Sequence, residues 1–244
     1  MTGPASRWIQ RLARFAALTV EEQGVLEDAA TATHNCTATD NIVNAGDRAD
    51  HLVVVLGGLA YQYKLLSDDR RQIVAYLFAG DMCDPRELLQ PRVDYSICLL
   101  RPAETTSLSL SSIERLERYP NVALAMSRYA LAQGAIMREW LVNVGHRTAF
   151  ERVGHLICEV HARLESVGLT RAHAFELALT QAEIGDTVAL SAVHVNRTLM
   201  ELRRLKLVTF QNRRVLIHDY AALRAAAGFD PAYLHFDDAP ALAS

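Results

Sequence analysis

No apolar stretch of this 244-residue chain approaches the roughly 20 residues needed to cross a bilayer. Arg7, Arg11 and Arg14 interrupt the N-terminal segment where a secretory leader would carry its apolar core. Cysteine is scarce: Cys36, Cys83, Cys98 and Cys158 stand far apart with no CxxC pair, which suits reduced thiols in a cytoplasm. Enzyme signatures are missing too, with no Walker loop, GxSxG elbow, HExxH pair or dinucleotide glycine fingerprint. No catalytic residue, metal ligand or cofactor is therefore assigned. Positive charge is also in short supply, since the net charge is −3. That balance argues against a nucleic-acid partner until its distribution is read. There is no long internal repeat and no low-complexity segment.

What is present is enough apolar surface for two cores, because half of the residues are hydrophobic and the chain exceeds the usual single-domain length. The most informative stretch runs from Thr180 to Phe210. Apolar residues at Ile184, Val188, Leu190, Val195, Leu199 and Leu202 describe two short helices, and small residues at Gly185 and Ala189 allow them to approach. Ser191 is placed to cap the second helix. This pattern predicts a helix-turn-helix, whose second helix enters the DNA major groove. Strand-like runs Leu207–Phe210 and Val215–Ile217 flank the polar turn Gln211–Arg214, so a hairpin follows and the unit reads as a winged helix. Residues 181–218 hold six Lys/Arg against three acids, a net +3 that leaves −6 for the rest. A basic module on an acidic carrier fits one domain that meets phosphate and another that does not.

Upstream, Trp8, Leu12 and Phe15 predict a short amphipathic helix over Arg7–Ala17. From Asn41 to Leu110 short β-rich runs (52–56, 59–65 and 72–78) alternate with glycine turns at Gly46, Gly57-Gly58 and Gly80, the signature of a small barrel or sandwich. A long helix follows over 121–145. Val122, Met126, Tyr129, Gln133, Ile136, Trp140 and Asn143 have the spacing of a coiled-coil seam and are expected to dimerise. A second stripe, Leu124, Leu131, Ala135 and Val142, is expected to pack on the barrel. Another amphipathic helix is predicted over Thr148–Glu165.

The order β-barrel, long helix, winged helix-turn-helix resembles the Crp/Fnr family of bacterial transcription regulators. Leu179-Thr180-Gln181, Glu183-Ile184-Gly185-Asp186, Leu190-Ser191 and His194–Leu199 carry the resemblance, and the tail Phe229–Leu234 is similar to a proteobacterial branch. It implies an α+β fold: a β-roll sensor of the double-stranded β-helix type over 1–120, a dimerisation helix over 121–146, a winged domain over 147–220, and a C-terminal helix and tail over 221–244. It also implies a cytoplasmic homodimer on an inverted-repeat operator, with RNA polymerase as a further partner and a small-molecule effector in the roll. Arg197 matches the family's base-reading arginine. Ala192 and Val193 stand where a polar residue is usual, with His194 and Asn196 beside them. Thr180, Ser191, Arg203, Arg204 and Arg213 are the phosphate candidates. A scaffold whose helix-turn-helix no longer reads DNA is the alternative. The effector pocket maps to Gly80, Asp81, Tyr95 and Ser96, but Pro85 and Tyr95 replace the glutamate and arginine that hold a cyclic phosphate, so cyclic AMP is not expected. Cys36 stands alone where oxygen sensors cluster cysteines for iron–sulfur ligation. His34 and His51 could serve a haem, and Cys83 is either a redox sensor or an inert buried thiol.

Overall fold

A computed structural model of the chain describes residues 5–30, 32–37 and 41–236, with the side chains of Pro85 and Arg86 outside the description. The part of the expected tail beyond residue 236 also lies outside it. The chain divides into two compact units. One comprises the described parts of Met1–Lys64, Val74–Gly134 and Leu234–Ser244; the other comprises Leu65–Ile73 and Ala135–Tyr233.

The first unit begins with α1 (Ser6–Ala13) and α2 (Val20–Ala29). Trp8, Ile9 and Leu12 recur at helical spacing and are wholly buried. α2 starts on a reciprocal cap, in which the Thr19 hydroxyl accepts from Glu22 N while Glu22 accepts from Thr19 N. Seven strands follow: β1 (Thr33–Cys36), β2 (Asn41–Val43), β3 (His51–Gly57), β4 (Leu59–Leu65), β5 (Arg71–Phe78), β6 (Ser96–Leu99) and β7 (Ala103–Ser109). They form two sheets, in the orders β1-β7-β3 and β2-β6-β4-β5. Leu52 to Leu56 are all buried, because β3 is covered on both faces.

The turn after β5 is bound to α1. A Cβ on Gly80, whose φ is +96°, would sit 2.6 Å from the Arg7 carbonyl oxygen, so only glycine fits. Next to it the Asp81 carboxylate takes the Arg11 guanidinium at 2.9 Å, with both residues about 1% exposed. Two helices close the unit, α3 (Leu110–Leu116) and the first half of α4 (Pro120–His146).

On α4 the burial of the two apolar stripes differs from that expected. Val122, Met126, Tyr129, Ile136, Trp140 and Asn143 are buried by their own chain, and Gln133 is half-buried. The Tyr129 hydroxyl accepts from Met82 N at 3.1 Å and donates to Met82 O at 2.9 Å. The Trp140 indole donates to Glu159, and Asn143 donates to the Arg152 carbonyl. The seven-residue seam thus packs inside the protomer. Leu124, Leu131 and Val142, expected against the barrel, are exposed instead, and of that stripe only Ala135 is buried. Spacing identifies a packed face but not the chain that covers it.

In the second unit α5 (Ala149–Glu165) starts on a Thr148/Glu151 capping box and buries Val153, Leu156, Ile157, Val160 and Leu164. β8 (Ala174–Glu176), α6 (Gln181–Val188), α7 (Ala192–Arg204), β9 (Val208–Gln211), β10 (Arg214–Ile217) and α8 (Tyr220–Ala227) follow. The sheet order is β8-β10-β9. Glu159, 1% exposed, lies at the centre and accepts from the Trp140 indole at 2.9 Å, the Tyr233 hydroxyl at 2.8 Å and Arg163 at 3.3 Å. α4, α5 and the turn Pro231–Leu234 are thereby tied to one carboxylate. Burial pushes its pKa up, and these donors hold it down.

Candidate nucleic-acid interface

Residues Gln181–Arg204 form two helices joined at a corner too tight for an ordinary side chain at one position. Leu190 N donates to Gly185 O at 3.1 Å, and a Cβ on Gly185 would lie 2.4 Å from Leu190 O. Ala189 turns the chain in the left-handed region with φ 54°. The Ser191 hydroxyl accepts from His194 N and starts α7. That bond uses a lone pair of the hydroxyl and leaves its proton able to reach a phosphate oxygen.

α7 has one buried and one open face. Val195, Thr198 and Leu202 pack inward, with Leu199 partly covered, and Thr198 donates to the His194 carbonyl at 3.0 Å. Ala192, Val193, His194, Asn196, Arg197, Arg203 and Arg204 are all exposed. Val193, Arg197, Met200 and Arg204 follow one another at helical spacing, so a single stripe carries an apolar group, a guanidinium, a thioether and a second guanidinium. Met200, 66% exposed, is the member that the sequence reading missed. Its place three residues after Arg197 was the available signal.

Arg213 occupies the tip of the β9–β10 hairpin. The two residues of that turn, Asn212 and Arg213, have φ of 52° and 61°. A two-residue turn of this kind favours Asn-Gly, and a non-glycine residue in the left-handed region costs about 1 kcal/mol. Keeping an arginine there sets its charge at the most protruding point of the hairpin. Thr180 departs from the set. Its hydroxyl donates to Glu183 at 2.9 Å and accepts from Glu183 N at 3.2 Å, so it caps α6 beside a carboxylate that repels phosphate.

The cyclic nucleotide-binding domain model matches residues 33–118, and the Crp-like helix-turn-helix domain model matches residues 151–226. The chain belongs to the Crp/Fnr family. Among curated relatives of this Crp/Fnr chain, the transcriptional activator protein FnrL of Cereibacter sphaeroides is 26% identical over 203 residues, 79% of each chain. The nitrogen fixation regulation protein FixK of Azorhizobium caulinodans is 27% identical over 224 residues, 91% of this chain and 89% of the relative. The solved structure of FixK2 from Bradyrhizobium japonicum superposes with a TM-score of 0.71 at 23% identity, over 80% of this chain and 96% of that one, and shares its fold.

In this Crp/Fnr chain the four residues expected to line an effector pocket are engaged internally. Gly80 and Asp81 are held against α1 as described, and Ser96 accepts from Ala45 N at 3.0 Å. Tyr95 donates its hydroxyl to Glu87. With Cys83 and Gln62, whose amide donates to the thiol at 3.6 Å, these two form a buried polar cluster in the roll. Burial raises Glu87 to about 7, opposed by the Tyr95 bond and reinforced by Asp84 and Asp94. Burial and Glu87 push the Cys83 thiol up to about 12, which disfavours the thiolate that a redox sensor needs.

The Glu87 shift has a defined sign in stability. Between the ordinary value of 4.5 and about 7 the folded carboxyl keeps a proton that the unfolded chain has released. Its contribution, up to about 3 kcal/mol, is complete below that window and disappears as pH rises through it. Thermal unfolding across the window should show stability falling with pH in the native chain, and Glu87→Gln should flatten that component. An identical slope in the two proteins would refute the shift.

Proposed function

We propose that this chain is a homodimeric, sequence-specific DNA-binding transcription regulator acting in the cytoplasm. The observation that carries the reading is α7, whose inner face is buried while its outer face holds Arg197 between Val193 and Met200. An arginine so placed can bond guanine O6 and N7 together, and the flanking apolar groups can meet thymine methyls. Ser191, Arg203, Arg204 and Arg213 surround that face and supply phosphate contacts that orient it without reading bases. The FnrL relative is named a transcriptional activator. For this chain we assign regulation of transcription through DNA and RNA polymerase, and no catalytic step.

Dimerisation is assigned to the open stripe of α4. Leu124, Ser127, Leu131, Gly134, Arg138 and Leu141 alternate in threes and fours, the spacing of a two-stranded coil. Leu124, Leu131 and Leu141 are 42%, 63% and 70% exposed, a row of leucines that a second copy would cover. A two-fold dimer presents two recognition helices about 34 Å apart, which calls for an inverted-repeat operator. Selection from a random DNA pool tests the reading: recovery of an inverted repeat supports it, and a pool that yields no motif overturns it.

The roll is assigned an effector other than cyclic AMP. Tyr95, standing where the family's phosphate-binding arginine would be, is committed to Glu87 and carries no positive charge. Calorimetry should detect no tight binding of cyclic AMP, and strong heat at one site per chain would reverse this assignment.

A further inference from the structure

At the C-terminal end of α5 two histidines and a glutamate converge. His161 and Glu165 are four residues apart on one helical face, with His161 Nδ1 at 4.0 Å from Glu165 Oε2. His173, from the turn that leads into β8, brings its Nδ1 to 3.1 Å from His161 Nε2. One donor atom from each of the three residues lies within 4.8 Å of the other two. His161 is fully buried, between Phe175 and Tyr220 with ring centroids at 5.9 and 4.7 Å. Among the described residues its Nδ1 has no hydrogen-bond partner. Leaving such a nitrogen unsatisfied costs about 1–3 kcal/mol, and the carboxylate facing it is too distant for a hydrogen bond.

We propose that His161, His173 and Glu165 form a site for one imidazole-preferring divalent transition ion, with Zn2+ as its representative. Two imidazoles and one carboxylate are a borderline-soft donor set, suited to zinc, nickel, cobalt or copper and ill suited to magnesium or calcium. Ligand bonds of about 2.0–2.1 Å put donors on a tetrahedral ion roughly 3.3–3.5 Å apart. The present spread closes through rotamer changes of His173 and Glu165, which are both exposed, while the buried ring of His161 stays fixed. A fourth position faces solvent and takes water.

The ion would fasten the edge of the winged sheet to α5. His173 O accepts from Ile217 N at 3.1 Å, and β8 pairs with β10 in the register Ala174↔Leu216, Phe175↔Val215, Glu176↔Arg214. Holding His173 therefore holds the strand beneath the hairpin that carries Arg213. The site itself does not depend on the DNA-binding reading, because uptake is measured without DNA.

The test uses the full chain after dialysis against a chelator. Titration with Co2+ should develop the visible absorption of a tetrahedral nitrogen–oxygen site at one ion per chain, and Zn2+ should displace it. His173→Gln and Glu165→Gln should each weaken Zn2+ at least about tenfold, while His218→Gln should bind as the native chain does. The two main variants change exposed side chains, so the test survives even if His161→Gln fails to fold. Hydrogen exchange should slow on loading at Ala174–Glu176 and their partners in β10. Absence of uptake, equal affinity in His173→Gln, or protection confined to other segments would overturn the proposal.

Discussion

Leu131→Asp is expected to turn the proposed dimer into monomers that remain folded, whereas Ile136→Asp is expected to lose folded protein. The two positions are five residues apart on α4, yet Leu131 is 63% exposed in the protomer and Ile136 only 6%. In a two-fold coil built on the open stripe, Leu131 lies near its own copy. Aspartate there sets two carboxylates against each other in a surface that association dehydrates, at a cost of several kcal/mol of association. The isolated protomer already exposes that site to water and tolerates the charge. Aspartate at Ile136 instead enters the core of the protomer itself, and several kcal/mol is a large share of a stability of about 5–15 kcal/mol. Sedimentation with circular dichroism separates the outcomes. A dimer unchanged in Leu131→Asp would remove the open stripe from the interface.

Arg197→Ala is expected to change which base is preferred, while Arg213→Gly is expected to weaken all sequences alike. Each removes one positive charge. The first is expected to cost about 1–3 kcal/mol and to relax preference at one G·C pair per half-site, because a bidentate contact to guanine is lost. The second removes a phosphate contact, which lowers affinity uniformly and reduces the slope of binding against salt by about one unit. Glycine is the informative replacement, because φ of 61° disfavours alanine as much as arginine. Arg213→Gly should thus relieve the hairpin by about 1 kcal/mol while it weakens DNA binding. Selection from a random pool at fixed salt distinguishes the two, and equal loss of preference in both would sink Arg197 as the base reader.

Much of this arrangement is legible in the residues because it is local. The helix-turn-helix follows from apolar spacing, from Gly185 where a Cβ would strike Leu190 O, and from the Ser191 cap. The faces of α4 were not legible. Both stripes are apolar and both fit a 3.5-residue repeat, and Gln133 and Asn143 resemble amides that fix the register of a coil. Asn143 instead bonds the Arg152 carbonyl inside the protomer. The buried clusters were hidden for another reason. Gln62, Cys83, Glu87 and Tyr95 meet only through the roll, and the His161–Glu165 pair gains its third member from a turn eight residues further on. Side chains separated along the chain carry no periodicity that announces their meeting.

The division of α4 between the two compact units has a consequence for where the chain can be cut. Taking 147 as the start of the DNA-binding part severs Trp140 from Glu159 and Asn143 from Arg152, contacts that belong to that part's own interior. The excised piece would keep a buried carboxylate stripped of its indole donor, and the Arg152 carbonyl would lose its amide. The longer segment of that unit begins at Ala135, in the middle of an unbroken helix, and the unit also takes in Leu65–Ile73. In this protein one border between the compact units falls inside a helix, where the backbone shows no linker or turn to mark it.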